Sequence, residues 1–170
     1  MIELTDGVLS QVKADAAPKT SYREYAVRVD ANGVNFPDGT VFTSASISSH
    51  LNDCTHCVVM AATLGHGIDR TLRRLLATDM ASAVLYDECA NALIEEICDN
   101  VQAEIEKTVQ KRSLTIATRF SPGYGDFLLS HQPDVLRLSN AEKEAGILLS
   151  EHNLMLPQKS VTAIIGIKTR

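Results

Sequence analysis

The longest regular pattern in the sequence is an apolar repeat that runs from Asp79 to Gln110. Its apolar side chains recur at steps of three and four residues, which is the spacing of one face of an α-helix. The members of the repeat are Ala83, Tyr86, Ala90, Leu93, Ile97, Val101 and Ile105. The pattern predicts a long helix with one buried stripe, so any fold for this chain has to provide a surface that covers it.

Shorter patterns on both sides of this helix predict strands and short helices. Cys57–Leu64 is a nearly continuous apolar run that ends in Gly65-His66-Gly67, as expected for a buried strand entering a glycine loop. Residues 1–21 are polar and interrupted, which predicts an extended arm or linker. The other predicted elements are strands at Leu114–Ala117 and Val161–Ile167, helices at Ile68–Ala77 and Ala141–Gly146, and a strand or short turn at Asp134–Leu138.

Length and composition set the broad class of the protein. The 170 residues carry a formal net charge of −5, and 45% of them are hydrophobic. This describes one ordinary globular domain, large enough to bury a core without disulfides or metal. The negative charge argues against a nucleic-acid partner, because phosphate contacts need a basic surface. The sequence shows neither a long apolar run nor a signal-like start, so we predict a cytoplasmic protein with no membrane partner.

The segment with the most distinctive chemistry is Arg119-Phe120-Ser121-Pro122-Gly123-Tyr124-Gly125. Arg119 offers a planar fork of donors for a carboxylate or a phosphate. Gly123 and Gly125 let a ligand approach the main chain without meeting a Cβ. Tyr124 adds a flat apolar face with one polar tip. The combination suits a zwitterionic small molecule with a flat ring, although a tight turn with an exposed arginine accounts for the same residues equally well.

The cysteines raise the question of a metal or redox site. Cys54 and Cys57 have the spacing of a zinc-binding or dithiol pair, but the pair precedes the predicted strand instead of opening a helix after it. Cys89 and Cys98 are nine residues apart on the long helix, so they do not share a face. We therefore predict free thiols and no metal site, with zinc binding and redox chemistry as the alternatives.

A polar series accompanies the apolar stripe on the long helix. Asp87, Asn91 and Glu95 follow one another at four-residue steps and therefore lie on one face. A solvated polar stripe is the usual explanation of such a series. The alternative is that this face borders a cleft beside the Arg119 segment.

Three motifs occur in a fixed order in the second half of the chain. The Arg119 segment is followed by Gly146-Ile147-Leu148-Leu149-Ser150-Glu151 and then by Met155-Leu156-Pro157-Gln158-Lys159-Ser160-Val161-Thr162-Ala163. Together they resemble the reactivation domain of cobalamin-dependent methionine synthase. The resemblance is clear from about Arg119 to Ile167 and weaker upstream. It implies an α+β domain over residues 22–170, preceded by the arm at 1–21, with a twisted, largely antiparallel sheet flanked by helices.

The resemblance also implies a ligand and roles for several residues. The ligand would be S-adenosylmethionine, with its carboxylate on Arg119 and its adenine or ribose edge on the backbone around Ser121 and Gly123. Tyr124 would stand near the reactive methyl group, on the side that faces the corrin ring. The family's helix glutamate falls on Asn91 here, which removes a negative charge, and Glu95 one turn later could supply it instead.

The activity implied by the resemblance is reductive methylation of cob(II)alamin. This chain shows no corrinoid-binding segment, so the cobalamin would be carried by a separate methionine synthase subunit, and the chain would act in trans. A flavodoxin-like electron donor is implied by the family as well. Two alternatives stay open: a non-catalytic binding or scaffold subunit that has lost the ligand, and a small zinc or hydrolase protein that uses Cys54, His56, Cys57 and His66.

Overall fold

The computed structural model describes the backbone of residues 2–169 and the side chains of residues 7–169. The helices are α1 (Ile2–Asp15), α2 (Ala45–His50), α3 (His66–Thr78), α4 (Met80–Gln110), α5 (Gln132–Ser139) and α6 (Ala141–Ala145). The strands are β1 (Lys19–Ala26), β2 (Arg28–Asp30), β3 (Gly33–Asn35), β4 (Val41–Phe42), β5 (His56–Thr63), β6 (Leu114–Phe120), β7 (Leu148–Leu149), β8 (Met155–Leu156) and β9 (Ser160–Thr169).

An antiparallel four-stranded sheet in the order β1-β5-β9-β6 forms the centre of the molecule. β5 and β9 are its inner strands, and nearly all of β5 is buried because both faces of the sheet are covered. Two small antiparallel units, β2-β3-β4 and the β7-β8 hairpin, flank this sheet. The predicted fold class, an α+β domain built on a largely antiparallel sheet, is confirmed.

Helix α4 packs with α1 and α3 on one face of the sheet. The predicted stripe is correct at both ends of the helix. In the middle, Ile94 and Cys98 are buried, whereas Leu93 and Ile97 are only partly buried. The stripe shifts because four-residue steps continue for two more turns than predicted, and the 3.6-residue period does not fix where the shorter step falls.

The opposite face of the sheet carries an aromatic cluster. Phe42 and Phe127 are fully buried there, with ring centroids 5.2 Å apart, and Phe36 lies 5.0 Å from Phe42. Helices α2 and α5 contribute Ile47, Val135 and Leu138 to the same cluster. No described helix has both the length and the apolarity needed to cross a membrane.

Two predicted elements are corrected by the structure. Residues 2–15 form α1 instead of an extended arm, and its Val12 is fully buried against the α4 side of the core. The boundary predicted before Tyr22 therefore falls inside β1. Asp134–Leu138 lies in α5, not in a strand or turn, and Pro133 occupies its first turn. Both segments are short or polar, so their apolar residues are too few to distinguish a helical period from an alternating one.

Candidate functional site

A β-bulge in β6 determines where Arg119 points. Ile116 lies opposite Ile167, but the next paired residue is Arg119 opposite Ile165, so β6 contains one residue more than β9 over this stretch. Residues opposite each other in a sheet point to the same face, and Ile165 belongs to the face that α4 covers. The bulge therefore turns Arg119 toward α4. Because Arg119 is still part of β6, the loop begins at Ser121 and not at Arg119 as the sequence suggested.

The Arg119 guanidinium meets a row of acceptors on α4. It donates from Nη2 to Glu95 Oε2 at 3.0 Å and from Nη1 to Asp99 Oδ1 at 2.8 Å. A longer contact of 3.4 Å joins Nη1 to Gln102 Oε1. The arginine side chain is 20% exposed, whereas the two carboxylates are largely exposed. We call these four residues the Arg119 cluster.

The same face of α4 binds a second cation two turns earlier. Lys159 Nζ donates to Asn91 Oδ1 at 2.7 Å and lies 2.7 Å from Asp87 Oδ1. Its side chain is 16% exposed. We call these three residues the Lys159 cluster. Asp87, Asn91 and Glu95 thus share a helix face as predicted, but the first two bind a different cation from the third.

A cleft of ≈ 700 Å³ opens beside the Arg119 cluster. It is bounded by α4, the end of β6 with the following loop, the start of α5, and residues 153–155 and 160–162. Of the residues predicted to bind a ligand, Glu95, Arg119, Ser121 and Tyr124 line it. Asn91 and Gly123 are not among its lining residues.

The loop after β6 is held in place by its own hydrogen bonds. Gly123, with φ +101°, donates its N–H to the Phe127 carbonyl at 2.6 Å, and the Tyr124 N–H reaches the Ser121 carbonyl at 3.3 Å. Gly125 also has positive φ, and a Cβ there would collide with Ser46 Oγ. These two main-chain donors are therefore used within the turn and are not free for a ligand in this conformation.

Asp126 fastens the loop to the start of α2. Its carboxylate accepts from Ser44 Oγ at 2.7 Å and from the N–H groups of Ala45 and Ser46 at 2.8 Å each. Hydrogen bonds from the side chains of Ser46 and Ser44, followed by those of the backbone, hold the pKa of Asp126 far below its usual range. The loop wall of the cleft is therefore fixed by α2, independently of α4.

The inner end of the cleft is lined by buried polar side chains. Gln132 opens α5 and is 2% exposed, and its Nε2 donates to Thr162 Oγ1 at 2.7 Å. The same Nε2 lies 3.4 Å from Met155 Sδ. Ser160, also in the lining, donates to the Pro157 carbonyl at 2.7 Å.

The outer end of the cleft is apolar. Tyr124, Leu129 and Leu154 line it and remain exposed, and the Tyr124 residue is 66% exposed. Leu128 and Leu156 extend this exposed apolar surface along the loop and the β7-β8 hairpin. Exposed apolar side chains grouped on one surface are typical of a contact site.

No cysteine lines the cleft, and Cys54, Cys57 and Cys98 are buried. Cys57 faces the aromatic cluster and Cys98 the opposite side of the sheet. Burial raises the pKa of the Cys54 and Cys57 thiols, and it raises that of Cys98 to about 11. They are therefore protonated at neutral pH, which disfavours both metal binding and nucleophilic attack. Within residues 7–169, no group of three or more His, Cys, Asp or Glu side chains could hold a metal ion.

Several cleft residues were missed in the sequence analysis. Asp99 continues the four-residue series of Asp87, Asn91 and Glu95, so the spacing alone could have included it. Gln132 and Thr162 are single polar residues in separate elements, and only the fold brings them together. The bulge that orients Arg119 has no comparable signal in the sequence.

The cleft offers charges of both signs at one end. Arg119 is permanently cationic, and Glu95 and Asp99 lie on the same wall. A ligand carboxylate can bind the guanidinium fork, while a ligand ammonium can bind the two carboxylates. This arrangement suits the zwitterionic end of an amino acid.

Comparison with known proteins gives a match in structure. Neither a family model nor a curated protein matches the chain. Among solved structures, the chain is similar to the MetH reactivation domain bound to AdoHcy, with a TM-score of 0.73 and 14% sequence identity. The match covers 97% of this chain and 63% of the solved one, so this chain spans less than two thirds of that domain's length. The similarity indicated by the three motifs is confirmed for the fold: this chain has the fold of the MetH reactivation domain.

Proposed function

We propose that this protein binds S-adenosylmethionine beside Arg119 and supports reductive methylation of cob(II)alamin on a separate methionine synthase subunit. The observation that carries the proposal is the Arg119 cluster. It places one guanidinium and two carboxylates on the wall of a ≈ 700 Å³ cleft, a volume within the usual range for small-molecule sites. The fold supports the proposal, because the similar solved domain holds AdoHcy.

Binding of the methyl donor would rearrange the Arg119 cluster. The ligand carboxylate would replace Glu95 and Asp99 as the partner of the Arg119 guanidinium. The ligand ammonium would then bind the carboxylates of Glu95 and Asp99. One set of charged hydrogen bonds would thus replace another, and no charge would be left unpaired. Asn91 is not needed in this arrangement, because Asp99 supplies the second negative charge.

The reaction needs positioning but no protein base. The cobalamin would be held by the partner, and one electron from an external donor, such as a flavodoxin-like protein, would make it able to accept the methyl group. The sulfur–methyl bond of the donor would break with its electron pair left on sulfur, which gives S-adenosylhomocysteine. What this chain contributes is the orientation of the sulfonium methyl group toward the cleft mouth.

The apolar surface at the cleft mouth supports an action in trans. Tyr124, Leu129 and Leu154 surround the opening, and a partner that covers them would bury apolar area and exclude water from the reacting atoms. Tyr124 would then stand between the bound donor and the partner's corrin. A cytoplasmic location belongs to the same proposal.

Visible absorbance of cobalamin gives the test of this function. The protein is mixed with a cobalamin-loaded partner domain, a one-electron reductant and S-adenosylmethionine. We expect conversion to the methylated form only when all components are present. A spectral change that is equally fast without this protein would contradict the proposal.

The Tyr124→Phe variant separates binding from methyl transfer in this assay. The substitution keeps the ring and removes only the hydroxyl group. We expect nearly unchanged affinity for S-adenosylmethionine, measured by calorimetry, together with slower methylation. Equal loss in both measurements would assign Tyr124 to ligand binding alone.

A second candidate function is a scaffold subunit that keeps the fold without the ligand. The observation in its favour is that Arg119 is already satisfied by Glu95, Asp99 and Gln102. Calorimetry on the unmodified protein separates the two candidates. The scaffold produces no heat of binding at millimolar S-adenosylmethionine, whereas the reactivation subunit does.

A further inference from the structure

The lining of the cleft also contains a buried amide, outside the Arg119 cluster, that uses only one of its two polar atoms. Gln132 lines the cleft but is 2% exposed, and its Nε2 donates to Thr162 Oγ1. Among the described residues, no hydrogen bond to Gln132 Oε1 is found. Oε1 is not among the described buried side-chain atoms that lack a partner, so it remains accessible from the cleft and can accept a hydrogen bond from a ligand or from water.

The surroundings of the amide determine which of its atoms is free. Nε2 lies 2.7 Å from Thr162 Oγ1 and 3.4 Å from Met155 Sδ. A hydroxyl oxygen can donate or accept, but a thioether sulfur can only accept. The amide nitrogen therefore belongs on the side of Met155 and Thr162, and Oε1 is left as the free acceptor.

The free acceptor complements a nucleobase that carries an amino group. The main-chain donors of Gly123 and Tyr124 are used within the loop, so they are not available to read a base. Met155 stands beside Gln132 in the lining and offers apolar contact to a flat ring, with the sulfur favourable at its edge.

We propose that Gln132 recognises the adenine of the ligand, with Oε1 accepting a hydrogen bond from its exocyclic amino group. The proposal rests on the function proposed above and assigns the two ends of the ligand to two groups of residues in the cleft lining. The Arg119 cluster binds the amino-acid end, and Gln132 with Met155 and Thr162 binds the nucleoside end. Hypoxanthine, which has a carbonyl oxygen in place of the amino group, would face Oε1 with a second acceptor.

Two nucleosides that lack the amino-acid end isolate this contact. Calorimetry compares 5′-methylthioadenosine with 5′-methylthioinosine on the unmodified protein, and S-adenosylhomocysteine is titrated in parallel. We expect the adenine compound to bind about tenfold more tightly than the hypoxanthine compound, because the latter leaves Oε1 unpaired. If S-adenosylhomocysteine binds but the two nucleosides bind equally, the role of Gln132 is wrong and the proposed function stands. If S-adenosylhomocysteine itself does not bind, the proposed function fails.

Substitutions at Gln132 assign the preference to this side chain. Gln132→Met removes the acceptor and should abolish discrimination between the two nucleosides. Gln132→Glu keeps an acceptor, so it should retain the preference for adenine. Lys159→Met lies outside the cleft and is the matched control, with the preference unchanged. Thermal melts check that each variant is folded, and a preference that survives in folded Gln132→Met would overturn the proposal. If that variant does not fold, loss of the preference in Gln132→Glu would overturn it.

Discussion

The two ion clusters on α4 use the same helix face but have different surroundings. The Lys159 cluster and the Arg119 cluster each pair one cation with acceptors at four-residue steps, at distances of 2.7 to 3.0 Å for the ion pairs. Both cations are mostly buried. Only the Arg119 cluster lines the cleft, because Lys159 is not among the lining residues.

The difference follows from the segment that supplies each cation. The Lys159 carbonyl accepts from the Leu64 N–H at 2.9 Å, so the main chain there is fixed to the end of β5. Arg119 comes from β6, which is an edge strand of the sheet formed by the described residues. The bulge in this edge strand turns Arg119 toward α4 and into the cleft lining, whereas the main chain at Lys159 is paired with the residue that follows β5. The same four-residue spacing on α4 thus stabilises the structure at the Lys159 cluster and can bind a ligand at the Arg119 cluster.

The largest effect is expected from removing the cation that lines the cleft. Arg119→Ala should weaken the binding of S-adenosylmethionine roughly ten- to a hundredfold, because charged hydrogen bonds contribute about 1.5–3 kcal/mol. Its effect on stability should be small, since the two carboxylates are solvated and can remain unpaired. Calorimetry and thermal melts measure the two quantities. An unchanged affinity would contradict the conclusion that the Arg119 cluster binds the ligand while the Lys159 cluster serves structure.

Lys159→Met should show the reverse behaviour. Removing the ammonium group leaves Asp87 partly buried without its cation, so the free energy of unfolding should fall by about 1 kcal/mol. For a chain of this length, the melting temperature would fall by roughly 2–4 °C. Affinity for S-adenosylmethionine should stay within about twofold. A loss of affinity comparable to that of Arg119→Ala would show that both clusters bind the ligand.

The carboxylates of the Arg119 cluster should have a smaller, salt-dependent influence. Glu95→Gln and Asp99→Asn should each weaken binding about two- to fivefold at low salt, because they remove an exposed partner of the ligand ammonium. The effect should shrink as ionic strength rises. Glu96→Gln, a neighbouring exposed acid outside the cleft lining, is the control. If Glu96→Gln weakened binding as much as Glu95→Gln, the effect would come from the net charge of the protein and not from contact with the ligand ammonium.

The smallest effect, a change in melting temperature, is expected from substituting Asp126. This residue fixes the loop wall of the cleft and not the helix wall. Its folded pKa is lowered by hydrogen bonds, so its stabilising contribution is present above the ordinary pKa of about 3.9 and is lost as the pH falls below it. Asp126→Asn should therefore melt below the unmodified protein at neutral pH, with the difference shrinking below about pH 4. Melting curves across this range test the expectation. A constant difference at all pH values would contradict the role of the charge.

Elements with a long or unambiguous pattern could be predicted from the sequence. The span of α4, the buried strand β5 and the final strand β9 each contain enough apolar residues to define a period, and they are confirmed. Helix α1 and helix α5 were missed because residues 2–15 are largely polar and residues 132–139 are few. The burial of these helices depends on distant parts of the chain: Val12 of α1 is buried in the core that α4 lines, and Val135 of α5 is buried in the aromatic cluster.

The candidate site could be predicted in part. Arg119, Ser121, Tyr124 and Glu95 lie together in the cleft, and three of these four share one short segment. The partners of Asn91 could not be foreseen, because Lys159 is sixty-eight positions away and only the fold brings it to α4. The bulge in β6 could not be predicted either, because one extra residue in a strand does not visibly change the composition or the periodicity of the sequence.

A residue-resolved NMR titration with S-adenosylmethionine tests the central claim most directly. We expect saturable shifts of amide signals around Glu95, Asp99, Arg119 and Tyr124, with those of Asp87, Asn91 and Lys159 almost unchanged. Shifts centred on the Lys159 cluster, or no shifts at millimolar ligand, would contradict it.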